Sequence, residues 1–187
     1  MRKNAIRAAM ALIACSPIAA LATGPTYNYL DAGYVSVDVD NGPTLDGFGV
    51  GGSFALTEIF HVVADYSEVS NSPWTITSSG VALGWNHPLN NITDFVARAG
   101  WVNGRVKVSG FGSESDNGWS LEAGVRSMLS PQFELNGFIS HVDIFDGDEQ
   151  ALSVGGVYYF TPSVGLGAGV TLSDDATGWN VGFRFTF

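Results

Sequence analysis

The strongest signal along the chain is a period-two alternation of bulky apolar residues with small or polar ones. Over 47–56, Phe48, Val50, Phe54 and Leu56 share one face, and Gly47, Gly49, Gly51, Ser53 and Ala55 share the other. Over 119–129, Trp119, Leu121, Ala123, Val125 and Leu129 alternate with Ser120, Glu122, Gly124, Arg126 and Met128. Over 164–173, Val164, Leu166, Ala168, Val170 and Leu172 alternate with three glycines, Thr171 and Ser173. The last segment repeats the pattern with Trp179, Val181, Phe183, Phe185 and Phe187. A soluble sandwich also alternates, but its polar face meets water and carries Lys, Glu, Thr and Gln. Here the second face is Gly, Ala, Ser and a few charges. Such residues fit the narrow inside of a small barrel whose large apolar residues face lipid.

Ten strands are predicted, at about 27–39, 46–56, 60–69, 74–86, 93–108, 117–129, 133–145, 150–160, 164–173 and 178–187. Each is long enough, since a tilted strand crosses a bilayer in about 9–11 residues. The fold class is therefore a transmembrane, antiparallel, up-and-down β-barrel. Eight strands is the alternative, if the weakly patterned fourth strand or the short fourth loop misleads. An even number puts both chain ends on one side, the periplasmic side in bacterial barrels. Thr57-Glu58-Ile59, Ser130-Pro131-Gln132, Thr161-Pro162-Ser163 and the slightly longer His87–Ile92 read as periplasmic turns. The other rim collects Asp38, Asp40, Asp46, Glu68, Glu114, Asp116, Asp146, Asp148, Glu149, Asp174 and Asp175. Tyr34, Tyr66, Trp74, Trp85, Trp101, Trp119, Tyr158, Phe160 and Trp179 fall near strand ends, as two interfacial girdles would require.

Residues 1–22 read as a cleavable export signal, leaving 23–187 as the barrel domain. Arg2, Lys3 and Arg7 precede an apolar run from Ala8 to Leu21, and Ala20-Leu21-Ala22 fits a small-x-small cleavage site. Leu12-Ile13-Ala14-Cys15 also resembles a lipobox, which would make Cys15 a lipidated first residue. Cleavage after Ala22 would instead discard Cys15, the chain's one cysteine. The formal charge of −10 becomes −13 once the three signal cations leave, which argues against a nucleic-acid partner. The terminal Phe183, Phe185 and Phe187 resemble the final strand of outer-membrane barrels, which the barrel-insertion machinery recognises.

Five stretches carry a closer resemblance: Tyr27–Val35, Leu83–His87, Phe95–Ala99, Leu121–Glu134 and Gly182–Phe185. Together they resemble the xanthomonad "activator of immunity" family of small outer-membrane barrels, from about residue 27 to the end. The resemblance implies an outer-membrane location and links to signalling and virulence, with no agreed enzymatic activity or cofactor. Phe187 stands where that family favours Trp.

Candidate chemistry concentrates on inward positions. Asp94 and Arg98 share a face of the fifth strand, Glu122 and Arg126 of the sixth, and Glu134 lies on the seventh. Asp65 and Arg184 also point inward. Buried charges must be paired and hydrogen-bonded, so an internal ionic network is predicted, with Arg98, Glu122, Arg126 and Glu134 drawn together. It acts either as a plug or as the lining of a narrow water path, with room left by the inward glycines. A proteolytic reading would use Asp38, Asp40, His141 and Asp143 at the rim. However, His141 and Asp143 are in phase with Leu135 and Ile139 and so should face outward. Asp143, Asp146, Asp148 and Glu149 crowd one loop without calcium-loop spacing, and read as a solvated acidic rim. No catalytic, cofactor or specific metal residue is assigned. The expected function is structural or surface-interacting, with a small passive porin-like channel as the alternative and a rim protease as a distant third. The expected partners are outer-membrane lipid and lipopolysaccharide, reached through divalent cations at the acidic rim, and the insertion machinery.

Overall fold

The structure, a computed structural model, describes residues 24–187. The export signal and Cys15 lie outside the described residues. Ten strands run in chain order: β1 (Tyr29–Val39), β2 (Thr44–Ala55), β3 (Phe60–Asn71), β4 (Trp74–Asn90), β5 (Thr93–Val108), β6 (Gly112–Ser130), β7 (Phe133–Asp143), β8 (Asp148–Thr161), β9 (Val164–Ser173) and β10 (Ala176–Thr186). Each pairs antiparallel with its neighbours in sequence. β1 also pairs with β10 over its full length, from Tyr29↔Thr186 to Val39↔Ala176, and closes the barrel. Closure leaves no sheet edge, which a lipid surround demands.

Two strands run four or more residues longer than the pattern predicts. β4 continues through His87 to Asn90, and only Asn91 and Ile92 remain as the turn. Pro88 lacks an N–H to donate, and the ladder accommodates it with a register shift between Pro88 and Asn90. β6 begins at Gly112 rather than near 117, so only Ser109–Phe111 connect it to β5. Residues 113–117 are polar on both faces and show no lipid-facing stripe, yet they pair with Asn103–Lys107 throughout.

The bulky apolar stripes face outward. Phe48 and Phe54 on β2, Leu121 on β6, Ile139 on β7, and Phe183, Phe185 and Phe187 at the C-terminus are all exposed. The predicted girdle residue Trp74 is an exception. It is half-buried and packs inside the barrel against Val37, Val69, Ile76 and their neighbours, because its position on β4 is in phase with inward Ile76 and Ser78.

The lumen is lopsided. β2 and β9 line it largely with glycine, whereas β3–β7 send in His61, Asp65, Asp94, Arg98, Glu122, Arg126, Glu134 and Phe138, and β1 and β10 add Tyr29, Asp31 and Arg184 beside their glycines. At the β1–β10 seam, Gly33 faces Gly182 so closely that a Cβ on Gly33 would lie 2.4 Å from the Val181 carbonyl oxygen. Only glycine fits there, and the pair lets the wall bend sharply. One end of the barrel, the terminal end, carries both chain termini and turns 56–59, 91–92, 131–132 and 162–163. The other is the distal end.

Candidate functional site

The inside of the barrel falls into three layers. At the terminal end, residues before β1 turn inward instead of trailing away. Tyr27 is buried, stacks on the His61 ring at 4.3 Å between centroids, and donates its hydroxyl to Asp94 at 2.9 Å. Burial, opposed by the nearby Arg126, pushes the Tyr27 phenol well above its ordinary range, so it stays a donor. Arg126 is fully buried. Its Nε donates to Glu134 at 2.9 Å, its Nη2 donates to the Thr26 carbonyl at 3.0 Å, and its guanidinium lies 4.5 Å from the Tyr27 ring centroid. Tyr29 sits between two guanidiniums, Arg184 at 3.5 Å and Arg126 at 5.5 Å from its centroid. Arg184 forms a bidentate pair with Asp31, its Nε donating at 2.5 Å. Two ion pairs with rings above and below are thus the floor of the lumen. Desolvated guanidinium over a ring face is worth about 2 kcal/mol, more than at an exposed site.

The middle layer is polar. Arg98 pairs with Glu122 and rests over the Phe138 ring at 4.9 Å. Arg98 Nε also donates to His61 Nε2 at 3.4 Å, and His61 Nδ1 lies 3.3 Å from Asn86 Oδ1. That bonding pattern assigns the ring proton to Nδ1. Gly84 makes this possible, since a Cβ there would lie 2.1 Å from His61 Nε2. Ser153 and Thr171 bond each other at 2.9 Å. A cavity of about 70 Å³ lies beside Asp65, Ser67 and the β1–β10 glycines. A second, of about 30 Å³, lies beside Asp65, Arg98 and Glu122. Both are mostly apolar-walled, carry the Asp65 carboxylate as a polar group, and are roomy enough for water.

The distal layer is aliphatic. Val37, Val39, Leu45, Val69, Ile76, Val102, Val106, Val142 and Ile144 form one buried cluster inside the mouth. The β7–β8 turn folds Phe145 onto it. Phe145 has a φ of 56°. That setting is uncommon for a bulky residue. Its N–H donates to Asp116 Oδ2 at 2.8 Å.

The seven lumenal charges predicted from sequence therefore have distinct places. Arg98 pairs with Glu122 and Arg126 with Glu134, and His61 and Tyr27 lie between the two pairs. Arg184 pairs with Asp31, which the sequence reading did not single out. Asp94 is engaged by Tyr27. Asp65 lies between the two cavities, its Oδ2 without a hydrogen-bond partner among the described residues. Asp31 was legible in principle, since it alternates in phase with inward Gly33. Tyr27 lay in the first predicted strand, 27–39, in phase with Asp31 and Gly33, but was not singled out; the ladder begins only at Tyr29. His141 lies on the outer face, its ring 5.0 Å from that of Trp119. Among the described residues, no group of three or more His, Cys, Asp or Glu is placed to hold a metal ion.

The sequence model of the family described as outer membrane protein beta-barrel domain matches residues 6–187. The chain belongs to that family. It is an outer-membrane protein, crossing with strands. A comparison with curated proteins gave no match. Among solved structures, the chain is similar to the KdgM porin in complex with disordered oligogalacturonate, with TM-score 0.51 and 11% identity over 85% of this chain and 99% of that one. It is also similar to the N-terminal β-barrel domain of Pseudomonas aeruginosa OprF, with TM-score 0.50 and 12% identity over 85% and 98%. At those identities the likeness is one of fold.

Proposed function

We propose that this protein works as a closed barrel whose useful surface is its outside and its distal rim, serving envelope structure or surface interaction rather than passage or catalysis. One observation carries this reading: both ends of the lumen are packed with buried side chains. Arg126, Glu134, Arg184 and His61 are fully buried at the terminal end, as are Val37 and Val69 at the distal end. An ion crossing would have to displace paired guanidiniums and then an aliphatic layer, and unpaired charge in such a layer is costly. In this reading the termini are periplasmic and the acidic rim faces outward. Divalent ions bridge that rim to lipopolysaccharide phosphates, and Phe183, Phe185 and Phe187 are read by the insertion machinery. The role in signalling or virulence implied by the activator-of-immunity resemblance would then be exercised through that rim.

The two water-sized cavities around Asp65 favour a second reading, a narrow polar conduit, and the KdgM likeness bears the word porin. Planar bilayers separate the two. The closed reading expects silence from the wild type and from variants opened at one end only, Tyr27→Ala or Ile76→Gly with Val142→Gly. Opening both ends together is expected to produce steps. Steady conductance in the wild type, altered by Glu122→Gln, would defeat it. Slower or faster gel migration on boiling reports that each variant is folded.

A further inference from the structure

The cations of this acidic chain are sorted in an informative way. Five occur among the described residues, and Arg98, Arg126 and Arg184 are spent on lumenal pairs. The other two, Arg105 and Lys107, stand together on the outward face of β5 and are exposed. Their cross-strand neighbours on the same face are Thr77 and Thr75 of β4, and Ser115 and Ser113 of β6. Arg105 Nη2 donates to Ser113 at 3.1 Å. Glu114 and Asp116 of β6 fall in the opposite phase, and the nearest outward acid, Glu68 on β3, accepts from the Tyr66 hydroxyl. Elsewhere the distal rim is acidic, with Asp38, Asp40 and Asp46 on one flank and Asp143, Asp146, Asp148, Asp174 and Asp175 on the other. Among the described residues, the β4–β6 sector is therefore the one place where the outer surface offers an anion cations and hydroxyls without acids.

The same sector continues downward as a lipid-facing recess. Arg105 lies four residues above Trp101, which pairs with Trp119. At the rise of an antiparallel strand, the cations stand about 13 Å beyond the aromatic girdle. Lipid headgroups lie beyond such a girdle. Below the two tryptophans, outward Ala97, Ala99 and Ala123 floor a hollow of about 650 Å³ walled by Leu83, Leu121 and Ile139. A hollow at hydrocarbon depth, floored by β5 and β6 and flanked by β4 and β7, and a cationic, hydroxyl-rich patch at headgroup height above it match one molecule with an acyl chain and a phosphate.

We propose that the outward face of β4–β6 binds one phosphorylated glycolipid of the outer leaflet, with Arg105 and Lys107 on its phosphate and an acyl chain in the Ala97–Ala99–Ala123 hollow. The proposal rests on the orientation given above and deepens it. Contact here is direct, unlike the divalent bridging at the acidic flanks, so it survives chelation.

The test uses the folded barrel in detergent with EDTA, titrated with a bisphosphorylated diglucosamine lipid and read by native mass spectrometry. One lipid is expected per barrel. Arg105→Gln with Lys107→Gln is expected to weaken retention about thirtyfold, from the usual worth of two basic residues at an anionic lipid surface. Ala99→Phe with Ala123→Phe is expected to weaken it with the cations intact. The dephosphorylated lipid with the same chains should bind as weakly as the charge variant, and inorganic phosphate should not displace the intact lipid. Equal retention by the charge variant, equal binding of the dephosphorylated lipid, or displacement by inorganic phosphate would each overturn the site. Both variants change only exposed outward residues, and boiling shifts on gels verify their folding. Bilayer silence does not depend on Arg105, so failure here and failure of the closed-barrel reading are distinguishable.

Discussion

The two ends of the lumen are shut by opposite kinds of chemistry. The terminal end uses ions packed against rings: Arg126 on Glu134, Arg184 on Asp31, with Tyr29 against both guanidiniums and Tyr27 against that of Arg126. The distal end uses valines, Leu45 and two isoleucines, with Phe145 folded over them. Both exclude solvent, but they fail differently. An ionic floor is brittle, because removing one partner strands a buried charge. An aliphatic layer degrades by increments, because each lost methyl removes a share of transfer energy and leaves a small void.

The largest expected effect follows from that brittleness. Arg126 is fully buried. Glu134→Ala leaves it uncompensated and should cost about 3–5 kcal/mol of unfolding free energy. Replacing both partners, Arg126→Met with Glu134→Leu, should recover most of the loss, because neither charge is then stranded. Urea unfolding of the barrel in liposomes measures both. If the double variant is as unstable as the single one, the floor is held by more than this pair. At the distal end Val142→Ala should cost about 2 kcal/mol, two methyl groups from a buried site. A loss as large as that of Glu134→Ala would break the contrast between the ends.

The contrast also marks what could be seen in the sequence. The outward stripes were plain, because lipid imposes one requirement on every outward residue, and ten strands followed from them. The inner face answers to several requirements at once. Its middle and terminal charges stood out against glycine and serine, and Arg126, Glu134, Arg98 and Glu122 were recognisable. Their partnering was not, since which inward neighbour pairs with which depends on side-chain reach. The aliphatic layer was hidden for another reason. Val35, Val37 and Val39 alternate in phase with Asp31 and Gly33, but the inward face was read as small residues and charges, so they were not singled out as a lining. Trp74 was assigned to the girdle because it is aromatic and near a strand end. Tyr27 shares the inward phase of Asp31 and Gly33, but its contacts with Asp94 and His61 arise because the chain turns inward before β1, which alternation does not encode.

The smallest expected effect sharpens the distal side of the comparison. Phe145 and Asp146 hold φ values of 56° and 58°. Such settings persist only where the surroundings fix them. Asp116 does so by accepting the Phe145 N–H, from a position that is only partly buried. Asp116→Ala should therefore cost about 1 kcal/mol, the ordinary worth of one such bond. The sharper readout is local: the turn 144–147 should become cleavable by added protease in intact liposomes while β7 and β8 stay protected. Asp116→Asn keeps a carbonyl acceptor in the same place and should protect the turn almost as well as the wild type. If Asn fails where Asp succeeds, the carboxylate charge holds the turn. The distal closure would then rest on an ion as the terminal one does, and the division between a brittle ionic end and a gradual aliphatic one would no longer hold.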